Sequence, residues 1–312
     1  MADEFDTDCH NVSIVEESGY VKIAYTKWQA VLDKYNGKTN GIRKQYLLWR
    51  LANCAHLNGD GKQALYYATR VVSLAEKNYG VTAMEYAHAL NFLAFIYINV
   101  DSLKEAIVNS DTAMTIMEGQ PNKESDLYLE LYGRILVTQA EIAKKQKDYQ
   151  KELTLRIQAL LIAQKYQYQE NDCFNYVAII SDIATCCEEL HRPNDAREAH
   201  IKALEFSAQL TGLGRITYAK SLVKCANFYA NLKMFTKAIS LQEQAIRVCV
   251  KIQDCPDLML IKNQHLLGKF WWRIRFARPL IINEFIRSVV QGRGKGRVSM
   301  WRRHSFPFLR QL

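Results

Sequence analysis

Apolar side chains recur along most of this chain in steps of three and four residues, not in the alternation of a half-buried strand. Leu90, Leu93, Ala94 and Tyr97 follow i, i+3, i+4, i+7, which places them on one face of a helix. A polar connection at residues 99–102 follows, and a second helical run carries Ala106 and Ala113. The same arrangement returns 132 residues later at Leu222, Ala226, Tyr229, Ala238 and Ala245. Intermediate copies are anchored on Ala140 and Ala184 and an earlier one on Ala52, so the anchors lie 42, 46, 44 and 42 residues apart. A helical hairpin of this size cannot bury its own apolar stripe, so the units must stack. Small residues recur at the anchors because neighbouring helices cross closely there. The pattern predicts an all-α superhelix of about five helix-turn-helix repeats over residues 20–268. Tyr20, Ala24, Trp28, Val31 and Tyr35 are read as an amphipathic half-repeat that caps the N-terminal end.

Composition agrees with long helices and short connections: 14 Gly and 5 Pro are few for 312 residues, too few for the frequent turns of a sandwich or barrel. No apolar run approaches the ~18 residues of a membrane-spanning helix, and residues 1–19, which start Met-Ala-Asp-Glu, read as an acidic, disordered N-terminus. A cytoplasmic location is expected, with a nuclear one as the alternative. The net charge of +9 is unevenly spread. Residues 1–268 carry 30 Lys and Arg against 31 Asp and Glu, whereas residues 269–312 carry 11 basic residues against Glu284 alone. None of the eight cysteines stands in the two-residue spacing of a zinc ribbon or redox pair, and Cys54, Cys187 and Cys225 fall in apolar helical stretches as small hydrophobes.

The spacing resembles the tetratricopeptide repeat (TPR): a large apolar residue, a small residue four positions on, a second-helix alanine twelve positions after that, and another small residue seven further. Leu48, Ala52, Ala64 and Val71 fit it, as do Ile180, Ala184, Ala196 and Ala203 and the copies at Ala94 and Ala226. The third copy, with Leu136, Ala140 and Ala159, departs by placing Glu152 where the second-helix alanine belongs, and its packing is expected to be the least secure. The long period and the stretch Leu90-Asn91-Phe92-Leu93-Ala94-Phe95-Ile96-Tyr97 are similar to the subtype found in kinesin light chains. HEAT and armadillo repeats share the period but lack this small-residue register. The resemblance implies an α-α superhelix acting as a non-enzymatic scaffold or adaptor that holds a peptide or protein segment in its concave groove.

On that reading the groove is lined by first-helix residues offset from the packing stripe: Trp49, Asn53 and His56; His88, Asn91, Phe95 and Ile98; Arg134 and Lys144; and Asn227. An asparagine offers a peptide backbone both a donor and an acceptor, the alternative being plain solvated helix polarity. Phe95 and Ile98 would form an apolar patch if exposed; burial by neighbouring helices is the competing outcome. Binding of a chaperone's terminal carboxylate is disfavoured, because Trp49 stands where such domains place a lysine. The basic cluster Arg134, Lys144, Lys145 and the acidic cluster Asp182, Glu188, Glu189 are expected to pair across adjacent units. Seven scattered histidines and the absence of HExxH, P-loop, GxGxxG or GxSxG motifs give no catalytic constellation, so no enzyme activity, cofactor or metal is expected. Residues 269–312 hold Trp271, Trp272, Trp301 and the basic residues Arg293, Lys295, Arg297, Arg302 and Arg303. Because a sixth first helix starts at Leu267-Gly268 and breaks off, this tail reads first as an alternative end to a longer array. The second reading is a segment that binds nucleic acid or an anionic membrane.

Overall fold

A computed structural model describes residues 4–17, 20–38, 40–165, 173–210 and 214–251. Among these residues it contains twelve helices and no strand: α1 (Glu4–Glu17), α2 (Val21–Lys34), α3 (Gly41–Leu57), α4 (Gly61–Tyr79), α5 (Met84–Asn99), α6 (Leu103–Glu118), α7 (Asp126–Lys145), α8 (Tyr149–Lys165), α9 (Cys173–Glu189), α10 (Pro193–Ala208), α11 (Gly214–Asn231) and α12 (Phe235–Lys251). They pack as consecutive antiparallel pairs, and the second helix of each pair contacts the first helix of the next. The odd-numbered helices form one layer and the even-numbered helices the other. Local sequence sets several boundaries. Asn40, Asp60 and Ser125 cap α3, α4 and α7 by accepting the backbone N–H three residues on, and Pro193 opens α10, where a missing N–H costs nothing.

The anchor alanines sit at the helix crossings as their spacing requires. Ala52, Ala94, Ala140, Ala184 and Ala226 are all fully buried, and so are Ala64, Ala106, Ala196 and Ala238 on the second helices. Seven residues after each first-helix anchor, at Gly59, Asp101, Lys147, His191 and Lys233, the backbone turns left-handed with φ between 56° and 80°. The next residue's N–H then reaches back to the carbonyl five positions earlier, from Asp60 to Ala55, Ser102 to Tyr97, Asp148 to Ala143, Arg192 to Cys187 and Met234 to Tyr229. These bonds, of 2.8–2.9 Å, close a Schellman turn at the end of each first helix and launch the second helix at once.

Two expectations need correction. Residues 4–17, read as part of a disordered N-terminus, form α1, and the cap is a whole hairpin instead of a half-repeat. Phe5, Cys9 and Val12 are buried against α2 and α3, and the acidic residues that suggested disorder are neutralised by the fold: Lys34 bridges Glu4 at 2.8 Å and Asp8 at 2.6 Å, and the Tyr35 hydroxyl donates to Asp8. Val12, Ala24 and Val31 are the buried counterparts of Ala52, Ala64 and Val71, each 40 residues earlier, and Gly19 stands in the sequence 40 residues before Gly59. The third unit is the second correction. Glu152 at the small-residue position is 2% exposed, yet it is not loosely held, because the fully buried Arg156 one turn on donates to it from Nε at 2.8 Å. The same guanidinium bonds Asp182 at 3.1 Å and the carboxylate of Glu141, so one cation ties α7, α8 and α9 together. The expected end of the repeat region at residue 268, and the tail, lie outside the described residues.

Two stability measurements check this packing. Ala226→Leu inserts three heavy atoms into a crossing with no free space and lowers unfolding stability by about 1–3 kcal/mol, read as a fall in urea midpoint. Arg156→Ala leaves Glu152 buried without a counter-charge and costs about 3–5 kcal/mol, whereas Glu152→Ala combined with Arg156→Met, which removes both charges, recovers most of that loss.

Candidate partner-binding surface of the first helices

The face of α3 that lies off the packing stripe runs through Ile42, Tyr46, Trp49, Asn53 and His56, at alternating steps of four and three residues. Ile42 and Tyr46 are exposed and line a cleft of about 490 Å³ between α1 and α3, together with Phe5, Cys9, His10 and Ser13. Sequence reasoning missed these two residues, although stepping the Trp49 stripe back by three and seven positions reaches both. The equivalent face of α5 carries His88, Asn91 and Phe95. The two faces meet: the Trp49 ring lies 5.6 Å from that of Phe92, and the His56 ring meets Phe95 edge-on at 5.0 Å.

Polar groups within this surface are incompletely satisfied. Asn91 is only 7% exposed, and its Oδ1 is buried with no donor. Trp49 Nε1 is likewise buried with no acceptor. Both residues stand three positions before an anchor alanine, so an unused donor and an unused acceptor occupy equivalent sites on successive first helices. Burial pushes the His56 imidazole below its usual pKa. Burial does the same to His88, reinforced by the nearby Arg134 cation and opposed by Glu130. Both rings therefore stay neutral near pH 7.

Other expected groove residues are placed differently. Asn53 is half-buried, but its Nδ2–H donates to Glu16 Oε1 of α1 at 3.0 Å. Glu16 also takes the Trp28 indole N–H at 2.8 Å and pairs with Arg50 at 2.8 Å. Ile98 is no surface patch: it is 5% exposed and packs on Ala106 and Ile142, since α7 covers that end of α5. Phe95 is half-buried. The basic and acidic clusters do not pair with each other. Arg134 bridges Glu130 on its own helix at 2.7 Å, and Lys145 reaches Asp101 at 2.8 Å. Asp182 holds Arg156 and Lys224, and Glu188 lies 2.9 Å from the buried His200. Lys144, on α7 beside α5, and Asn227, on α11 farther along the array, are half-buried. Arg293, Lys295, Arg297, Arg302 and Arg303 lie outside the described residues.

Among the described residues no group of three or more His, Cys, Asp or Glu is gathered as a metal site would need, and no helix is long and apolar enough to cross a membrane. No family model matches the chain, and no curated protein sequence does. Solved structures do match. A kinesin-light-chain-type array from Podosopora anserina, built of nearly identical TPR-like repeats, is 17% identical with a TM-score of 0.52, over 65% of this chain and 93% of its own. A Rap protein complexed with competence and sporulation factor is 10% identical with a TM-score of 0.60, over 88% of this chain and 77% of its own. NprR in complex with its cognate peptide NprX is 14% identical with a TM-score of 0.58, over 87% of this chain and 74% of its own. The fold is a TPR-like solenoid. At these identities the likeness establishes the architecture alone.

The His88 environment has a measurable consequence. Its imidazole resonances should titrate with a midpoint below the usual 6.5. The unfolded chain then takes up a proton that the native state refuses, so stability falls as pH drops through 6.5 toward the native midpoint. Denaturation midpoints at pH 7.5 and 5.5 should differ less in His88→Gln than in the unaltered protein.

Proposed function

We propose that this chain is a non-enzymatic interaction scaffold that binds an extended peptide segment along the first-helix face of α3 and α5. The observation that carries the reading is the pair of buried, unused groups, Asn91 Oδ1 and Trp49 Nε1. A buried polar group without a partner costs about 1–3 kcal/mol, and a fold retains such a cost where a ligand removes it. Both atoms are covered in the free chain, so binding requires the side chains over them to turn aside; an extended backbone then offers an N–H for Asn91 and a carbonyl for Trp49, while Tyr46, His56 and Phe95 supply aromatic surface for its side chains. The likeness of fold to the Rap and NprR structures supports the reading, since both of those proteins were captured with a factor or peptide bound. Buried thiols outside any disulfide at Cys9, Cys54, Cys186, Cys187 and Cys225 fit a reducing compartment, the cytoplasm or nucleus.

A phage-displayed library of twelve-residue peptides panned on the full chain provides ligands, and calorimetry provides affinities. Asn91→Leu is nearly isosteric and removes the orphaned acceptor. It is expected to raise the melting temperature while weakening the selected peptides more than tenfold, about 1.4 kcal/mol or more. Trp49→Phe should weaken them similarly. Peptide binding that ignores both substitutions but vanishes when Arg293, Lys295 and Arg297 are neutralised would move the activity to the basic tail. It would then favour a nucleic-acid or anionic-membrane ligand, recognisable by a steep loss of affinity with salt.

A further inference from the structure

We propose that Glu16 sets the ligand class of this surface, by filling a carboxylate-binding cradle from within the chain so that the groove takes an uncharged, internal peptide segment and rejects a terminal carboxylate or an acidic side chain. The inference rests on the peptide-binding reading above and goes beyond it.

The cradle is complete and preorganised. Its donors come from two helices: the Trp28 indole N–H of α2 and the Arg50 guanidinium of α3 on Oε2, each at 2.8 Å, and the Asn53 amide of α3 on Oε1 at 3.0 Å. Trp28 is fully buried, and the Arg50 guanidinium lies over its ring at 5.1 Å from the centroid, so neither donor is free to swing away. The Arg50 terminal amine also donates to Ser13 Oγ at 3.4 Å. A cation, an indole N–H and a carboxamide converging on two oxygens form an anion site, and the side chain that occupies it is 9% exposed. Were the site empty, Arg50 and Asn53 would present these donors on α3 beside Trp49, one helical turn along from Tyr46, and would draw in any ligand carboxylate. With Glu16 in place, the positive charge is paired and the Trp28, Asn53 and terminal Arg50 N–H groups are engaged, while Arg50 Nε stays buried without an acceptor.

The unused groups beneath the rest of this surface are neutral or hostile to an anion. Asn91 offers a carbonyl oxygen, which takes an N–H and repels a carboxylate. Trp49 offers one uncharged N–H. Of the other cations beside this surface, Arg43 of α3 lies over the Phe5 ring at 4.6 Å and Arg134 of α7 is spent on Glu130 at 2.7 Å. His56 and His88, held neutral by burial, add no charge. A ligand carboxylate entering here would lose its hydration and find the Arg50 charge already paired with Glu16.

The test uses a peptide selected on the full chain and shown to depend on Asn91 and Trp49. It is synthesised with a free and an amidated C-terminus, and as two scans in which each residue in turn becomes Asn or Asp; the Asn-to-Asp ratio isolates charge at constant shape. The unaltered protein is expected to bind acid and amide forms within threefold of each other. At one or two adjacent positions it should bind the Asp peptide at least tenfold more weakly than the Asn peptide. Glu16→Gln removes the charge while keeping one carbonyl oxygen for the Trp28 and Arg50 donors, and its NH2 can donate to the Asn53 amide turned over to present Oδ1. It should leave the parent peptide within threefold and abolish or invert the Asp penalty at those positions, a change that a merely structural tie between α1 and α3 would not produce. A free acid bound tenfold more tightly than its amide by the unaltered protein overturns the proposal, and so does an Asp penalty that Glu16→Gln leaves intact. If the variant loses its cooperative melt, the acid-to-amide ratio and the Asp scan of the unaltered protein decide alone. A library that yields only peptides indifferent to Asn91 and Trp49 overturns the peptide-binding reading itself, a failure distinct from either of these.

Discussion

Every unit of this solenoid depends on helix backbones approaching as closely as an alanine side chain permits. The anchor alanines are fully buried, and the left-handed turn seven residues later brings the second helix back at the angle that makes the close crossing possible. Four of the five turns place a non-glycine residue at positive φ, at a cost of roughly 1–2 kcal/mol each. That cost is tolerated because the turn closes two backbone hydrogen bonds and fixes the hairpin geometry on which the buried stripe relies. A longer connection would relax the backbone but would unlock the register of everything stacked beyond it.

The third unit shows what happens when the small-residue rule is broken. A carboxylate at the crossing should pry the hairpin apart, and it does not, because Arg156 lies one turn away and carries the charge into a network with Glu141 and Asp182. The helices are held there by ions where the other units are held by methyl groups. Such a site gains little over a well-packed apolar one, but losing half of it is costly.

How much of this was legible in the sequence follows from how far each interaction reaches along the chain. The register of Ala52 to Ala226 was readable because packing repeats at a nearly constant period. The N-terminal unit escaped because Val12 replaces the small residue and Asp8 stands where a large apolar one belongs, and because the partners that neutralise its acids are 26 and 30 residues away. Asn53 and Ile98 were assigned to the groove from helix phase alone. Their actual neighbours, Glu16 and Ile142, come from other units whose closeness only the stacking creates. The unused atoms of Trp49 and Asn91 are invisible to any pattern, because being unsatisfied is a property of surroundings.

Asp182 has a further consequence, for how the molecule comes apart. In a simple repeat array each unit touches only its neighbours, and unfolding creeps inward from the ends one hairpin at a time. Asp182 on α9 grips Arg156 of the unit before and Lys224 of the unit after, while Arg156 holds its own hairpin closed. Loss of the middle unit removes Asp182 from both neighbours and takes a counter-charge from the fully buried Arg156. The stretch from α7 to α11 is thereby crossed by a chain of ion pairs that couples the opening of its three units beyond their shared apolar contacts.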